Sequence, residues 1–381
     1  MQACLPMRMP LVFLMGYNSR MSFSRTLARW FPVPKLLTPP AAGIDITDAS
    51  VKWLSFKEGS KGLRIFSCGT LPLPQGLVER GAVKDPRALA EVLKEVKKKS
   101  GIRFAHAALP EEDAYVFSMH VPPKSSRSQI MNMIEFELEA RVPIPPSQAV
   151  YDFDTIQVRD DNGEEIAVTV FPRDLAEGYT KAFSLAEIEL LSLEIEPRSI
   201  GRAIAQKGKD STTLVVDCGY ARTGVAILKS GIPIFTSTID IGGAHLSKAV
   251  MDSLKVSEEE ARVFKNEHGL VPDDPTKKPV LDALDHVAAS LAEEIGRHYR
   301  FWDTRRNERG EHAMPVERVF LLGGSANLKG LPEYIAGKVR AQTERPNVWQ
   351  NAFSFDEYIP PIDYRTSLQY ATAIGLALRS T

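Results

Sequence analysis

Cysteine is scarce in this chain. There are three in 381 residues, Cys4, Cys68 and Cys218, and no two form a C-x-x-C pair. That excludes a disulfide framework and a cysteine zinc site, and it suits a reducing compartment. The seven histidines show no H-E-x-x-H spacing, so no metal held by protein side chains alone is expected. Charge of one sign is also missing: 47 basic against 48 acidic residues give a net charge of -1. No global basic surface exists to grip a phosphate backbone, which excludes nucleic acid from the expected partners. No apolar run reaches the ~18 residues of a transmembrane helix. Leu11 to Met15, within Met9 to Tyr17, is too short, and no small-residue cleavage site follows it. Residues 1 to 20 therefore read as a leader or an over-extended start, with Met21 as the alternative first residue.

What is present is ordinary globular material, 44% hydrophobic and 25% charged, in a chain too long for one core. Prolines 32, 34, 39 and 40 make a stiff linker, so residues 1–40 read as leader and linker. Short strands follow at Gly43 to Ile46, Val51 to Phe56 and Leu63 to Gly69. Asp85-Pro86 is a good helix start, and Lys97-Lys98-Lys99 a good helix end, for Pro86 to Ser100. His106 to Leu109 and Ala114 to Val121 read as strands. Ser128 to Arg141 reads as an amphipathic helix carrying Ile130, Ile134, Phe136 and Leu138, stopped by Pro143, Pro145 and Pro146. Strands at Ala149 to Val158 and Glu165 to Phe171 flank a turn at Asp160 to Gly163. A helix over Leu175 to Leu185, a strand over Leu190 to Ile195 and a helix from Pro197 to Ala205 close the first half.

Then the opening pattern returns. Thr213 to Asp217, a glycine-containing turn, Thr223 to Lys229 and Ile232 to Ile239 repeat strand, acidic end, small-residue turn and strand, roughly 170 residues after the first copy. Helices follow at Gly243 to Leu254, Ser257 to Glu267 and Val280 to Arg300. A strand over Arg318 to Leu322 runs into Gly323-Gly324, and one helix is expected over Thr366 to Ala377. Duplicated halves of this kind resemble the actin, sugar-kinase and heat-shock chaperone architecture.

In that architecture two acidic strand ends face each other. Asp45 ends the first strand and Asp217 its repeat, each before a tight turn whose amides can meet phosphate oxygens. The acids would repel phosphate directly, so their expected role is to hold waters of a Mg²⁺ ion. The second turn, Asp217 to Thr223, carries Gly219 for close backbone approach, the Thr223 hydroxyl as a donor, and Arg222 as either a counter-charge or a solvated side chain. The first turn is poorer: Thr47 stands where glycine is expected, and Asp48 adds negative charge. Gly323-Gly324-Ser325 gives a flat surface for an adenosine, and Lys265, on a helix, offers a contact from the opposite side.

Several blocks resemble the PilM family of type IV pilus assembly proteins and its relative FtsA. They are Gly43-Ile44-Asp45-Ile46 with Ser50-Val51-Lys52, then Ile239-Asp240-Ile241-Gly242-Gly243, then Gly323-Gly324 with Gly330-Leu331. Leu109-Pro110-Glu111, Ile134-Glu135-Phe136-Glu137, Val142-Pro143-Ile144-Pro145 and Tyr151-Asp152-Phe153 favour PilM, through its inserted 1C subdomain. The resemblance runs from Gly43 to the C-terminus. It implies an α/β fold of duplicated actin-like (ribonuclease H-like) ATPase domains: domain I over residues 41–210 with the insert at about 108–172, and domain II over residues 211–381 with a C-terminal helix. It implies ATP and Mg²⁺ as cofactors, with Ser50, Lys52, Gly242 and Gly243 joining the site. Thr47, and Arg262 where related chains carry glutamate, put hydrolysis in doubt more than binding.

The resemblance further implies a cytoplasmic scaffold at the inner face of the cytoplasmic membrane. It would dock the N-terminal tail of a PilN-like membrane protein between subdomains 1A and 1C, with Ile134 and Ile144 as candidate walls, and link it to the pilus motor ATPases. Self-association and peripheral membrane contact stay open. Phe23, Leu27, Trp30 and Phe31 share one helical face that reads as membrane-surface, partner-binding or packed back on the fold. Two alternatives remain: an FtsA-like filament-forming membrane tether, which the absence of a basic tail after Arg379 disfavours, and a small-molecule kinase, for which no sugar-pocket motif or base is found.

Overall fold

The computed structural model describes residues 40–59, 62–159, 163–206, 208–271, 278–306 and 314–380. The Phe23 to Phe31 helix, Met21 and the Asp160 to Asn162 part of the expected turn lie outside them.

In chain order, β1 (Ala42–Ile46), β2 (Ser50–Gly59) and β3 (Gly62–Pro72) form a meander, followed by the small hairpin β4 (Val78–Glu79) and β5 (Ala82–Val83). Then come α1 (Pro86–Ser100), β6 (Phe104–Leu109), β7 (Tyr115–Val121), α2 (Arg127–Arg141), β8 (Ala149–Arg159), β9 (Gly163–Pro172), α3 (Arg173–Leu185), β10 (Glu189–Ile195) and α4 (Glu196–Ile204). The second half holds β11 (Thr212–Cys218), β12 (Thr223–Lys229), β13 (Ile232–Ile239), α5 (Gly243–Leu254), α6 (Glu258–His268), α7 (Lys278–Thr304), β14 (Arg318–Leu322), α8 (Leu331–Val339), β15 (Thr343–Glu344), α9 (Tyr364–Ser367) and α10 (Ala371–Ala377).

Local chemistry sets the helix ends. Asp85 caps α1 by accepting from the Arg87 amide at 2.8 Å, and Gly101 in the left-handed region closes its other end. Ser126 with Gln129, and Ser257 with Glu260, form capping boxes before α2 and α6.

The two main sheets have the same topology. The first runs β3-β2-β1-β6-β10 and the second β13-β12-β11-β14-β15. In each, an antiparallel meander is extended by two parallel strands. A core shared by the halves fills the space between them: Leu54 and Phe56 from β2, Ile200 and Ala203 from α4, Val215 and Leu322 from the second sheet, and Trp349 and Ile374. Strand ends of both sheets are thereby held in fixed relation.

The insert is the sheet β7-β9-β8 with α2 on one face. Its other face leans on both halves: Glu165 pairs with Lys229 of the second half at 2.6 Å, and Asp154 takes a bidentate bond from Arg198 of α4 in the first.

Two expectations are corrected. The C-terminal helix is not continuous over Thr366 to Ala377; it is α9, a 3-10 turn at Leu368–Tyr370, and α10. Asp363 starts it early by capping the Arg365 and Thr366 amides, and at the 3-10 turn the Leu368 carbonyl accepts from the Gly323 amide at 3.1 Å. On α2, Phe136 does not join Ile130, Ile134 and Leu138 in the core; it is 82% exposed.

Candidate functional site

The carboxyl ends of the parallel strands converge on one cleft. Asp45 closes β1, Glu111 lies just after β6, Glu196 opens α4 directly after β10, and Asp217 stands near the end of β11. Ligands of open α/β sheets bind outside such ends. Asp45 is 4% exposed and its Oδ1 finds no hydrogen-bond partner among the described residues. Its Oδ2 lies 3.7 Å from Lys52 Nζ, which also donates to Ser50 Oγ at 3.1 Å.

The electrostatics are one-sided: two buried acids, Asp45 and Glu111, and two half-buried ones, Glu196 and Asp217, stand against Lys52. Burial, then the charge of Asp45, pushes Asp217 up to about 6, while Lys52 opposes. Burial also pushes Glu111 up to about 7, with Asp217 and Glu112 adding to it. Glu196 is raised well above its ordinary value by burial, then by Glu111 and Asp45. Asp45 is raised by burial and held back by Lys52. Such a cluster demands protons or a cation.

The two turns differ. In the first, the Thr47 hydroxyl accepts from the Ala49 and Ser50 amides at 3.4 and 3.2 Å, and the Thr47 amide donates to Ser50 at 2.9 Å. Those amides are spent inside the turn. In the second, Gly219, α5 and the turn after β14 are welded together. The Gly219 carbonyl accepts from the Gly243 amide at 3.0 Å and from Ser325 Oγ at 3.1 Å, and the Ala244 amide donates to Tyr220 at 2.8 Å. A β-carbon on Gly243 would fall 2.3 Å from Ser325 Oγ, so the junction needs glycine there. Gly323 has φ +80° and lies against Asp217, with Gly324 beside Gln369.

The structure thus brings Asp45, Ser50, Lys52, Asp217, Gly219, Gly242, Gly243, Gly323, Gly324 and Ser325 into one region. Three further predicted residues are engaged by protein groups at its edge. The Thr223 hydroxyl donates to the Ile241 carbonyl at 2.6 Å. Arg222 is not solvated; it pairs with Asp48 at 2.6 Å and with Glu112. Lys265, its pKa lowered by burial and then by Arg262, donates to Ser247 Oγ at 3.0 Å and the Gly243 carbonyl at 3.3 Å. Ile134 is fully buried in the insert's own core and offers no surface to a partner, whereas Ile144 is half-buried. Reading the sequence missed Glu111, Glu112 and Glu196. The available signal was positional: each acid follows the end of a parallel strand. Two cavities of about 390 and 210 Å³ lie at the other ends of β11 and β12, around Gln206 and Gly231, away from the acids.

Comparison with known proteins gives the fold its relatives. The family described as type IV pilus assembly protein PilM matches residues 43–381. A PilM-PilN type IV pilus biogenesis complex superposes with a TM-score of 0.73 at 22% identity, covering 90% of this chain and 99% of that one. The ethanolamine utilization protein EutJ from Carboxydothermus hydrogenoformans gives 0.51 at 18%, covering 91% of each. MreB5 of Spiroplasma citri bound to AMPPNP gives 0.51 at 12%, covering 89% and 95%. Among curated sequences, EutJ of Escherichia coli (strain K12) is 29% identical over 119 residues, 31% of this chain and 36% of that protein, so the match spans about a third of the relative. The fold is the actin-like one.

Proposed function

The chain belongs to the type IV pilus assembly protein PilM family, and on that premise we propose that it is an ATP-binding scaffold of a pilus assembly machine, working on the cytoplasmic side of the membrane. Among the described residues no helix is long and apolar enough to cross a membrane. Attachment is assigned to a partner: the cytoplasmic tail of a PilN-like membrane protein. That pairing extends to this chain what the superposed PilM-PilN complex contains.

The observation that carries the nucleotide reading is the pair Asp45 and Asp217. They stand at matching strand ends, Asp45 buried and Asp217 half-buried, in a cluster whose negative charge Lys52 alone does not offset, and Asp45 Oδ1 has no hydrogen-bond partner among the described residues. This fits a Mg²⁺ site filled mainly by waters and phosphate oxygens. Asp45 and Asp217 would hold Mg²⁺ through its waters, and the ion would supply the positive charge that offsets the acids and the phosphates. Lys52 would face the phosphates beside Asp45, and the turn at Gly323-Gly324 would bear the nucleoside. The MreB5 relative is bound to AMPPNP, which supports a nucleotide as the ligand.

The tail is assigned to the groove between the first sheet and the insert, along the Pro143-Ile144-Pro145-Pro146 segment. Proline stiffness lowers the entropic cost of holding a groove wall in place. Thermal unfolding with and without millimolar Mg-ATP tests the nucleotide half: a rise in melting temperature is expected, reduced in Asp217→Ala. No rise in the unsubstituted protein contradicts it.

A further inference from the structure

Arg222 sits on the second turn, in the second half of the chain, yet its guanidinium is held by the first half. It bonds Asp48 Oδ2 at 2.6 Å and pairs with Glu112. All three side chains are shielded, at 17%, 26% and 12% exposure. Asp48 belongs to the first turn and is pinned: it also accepts from the Arg80 and Gly81 amides at 3.3 and 3.1 Å, at the tip of the β4–β5 hairpin. Glu112 lies in the 3-10 turn Glu111–Asp113, which leads straight into β7 of the insert. Arg80 continues the chain of charges to Glu112 and Asp240 at 3.8 Å each, but at 68% exposure that outer arm adds little.

One guanidinium therefore ties together both turns of the cleft and the first residues of the insert. We propose that Arg222 is an exchangeable counter-ion: it holds Asp48 and Glu112 while the cleft lacks nucleotide, and transfers to the terminal phosphate when ATP enters. The inference rests on the ATP reading above. A phosphate brought between the turns stands beside the guanidinium that links them, and a planar guanidinium bonds phosphate as readily as carboxylate. Transfer leaves Glu112 without its main cation and loosens the turn before β7. Nucleotide occupancy thus reaches the insert, the subdomain assigned to the tail, through a single side chain. The coupling is reciprocal: a ligand that fixes the insert with Glu112 on Arg222 weakens ATP.

The test is a mutant cycle read by calorimetry with Mg-ATP, together with amide hydrogen exchange of the Glu111 to Val121 segment. Asp48→Asn with Glu112→Gln frees Arg222 and is expected to tighten Mg-ATP by about fivefold or more. In an Arg222→Ala background that gain should vanish, because it passes through Arg222. In the unsubstituted chain, Mg-ATP should speed exchange at Ala114 to Val116, a readout that needs no variant. A gain that persists without Arg222 is mere relief of repulsion and overturns the inference. So does ATP binding that leaves exchange in this segment unchanged, and either result leaves the ATP reading standing. Absence of any Mg-ATP binding removes both.

Discussion

Gly323 lies so close to Asp217 that a β-carbon on it would fall 2.3 Å from the Asp217 Oδ1. The end of β14 thus fits flush against the acid that ends β11, its parallel neighbour. With φ +80°, the position is also strained for any side chain. Gly323→Ala is expected to lower stability by about 1–3 kcal/mol and to displace Asp217. A melting curve and a Mg-ATP titration read the two effects separately. A variant as stable as the parent, with unchanged binding, would show that the fit is not required.

The buried acids make stability depend on pH, with a definite sign. Glu111 moves from 4.5 to about 7 on folding and Asp217 from 3.8 to about 6. Both pKa values are raised, so the folded state binds more protons between those limits. Stability is then fullest below about pH 4 and is lost as pH rises through 6 and 7, at up to about 1.4 kcal/mol per pH unit for each proton. The neighbours facing these groups are Asp45, Glu112, Glu196 and Lys52. Melting temperature without nucleotide should fall from pH 5 to pH 7.5, and Glu111→Gln should flatten the slope. An equal slope in that variant contradicts the assignment.

Hydrolysis should be slow. The Ala49 and Ser50 amides are bound to the Thr47 hydroxyl and not free for phosphate, and positioned donors supply most phosphoryl-transfer catalysis. Phosphate release by pure protein is expected below about one turnover per minute. Thr47→Gly should free both amides and tighten ATP. Brisk release that Asp45→Asn abolishes would contradict this.

For the partner, Ile144→Glu should weaken a PilN-like tail peptide by about tenfold or more. Ile134→Ala, by contrast, should cost about 2–5 kcal/mol of stability, because Ile134 packs the insert's own core. Peptide titration and melting separate them. Unchanged peptide binding by a folded Ile144→Glu protein places the tail elsewhere.

Much of this was legible in the chain because it is local. Asp85-Pro86 and Lys97-Lys98-Lys99 mark the ends of α1, and the twofold recurrence of acid, small turn and strand exposed the duplication that the two sheets repeat strand for strand. Phe136 was misplaced although its spacing disqualified it: Ile130, Ile134 and Leu138 step by four, and Phe136 falls between them on the far face. Other features needed contacts that sequence spacing does not reveal. The Leu368 carbonyl, at the 3-10 turn that interrupts the last helix, accepts from the amide of Gly323, 45 residues earlier. Glu111 and Glu196 become one cluster with Asp217 only when β6, β10 and β11 end together. Arg222 reads as either a counter-charge or a solvated side chain until Asp48, 174 residues earlier, is beside it.

The central claim is that Asp45 and Asp217 hold Mg-ATP in the cleft, and titrating ATP calorimetrically with Mg²⁺ and with EDTA tests it most directly. The account predicts saturable one-to-one binding that weakens by about tenfold or more when Mg²⁺ is removed, and likewise in Asp45→Asn. Binding that is absent, or equally tight without Mg²⁺ and without Asp45, would contradict it.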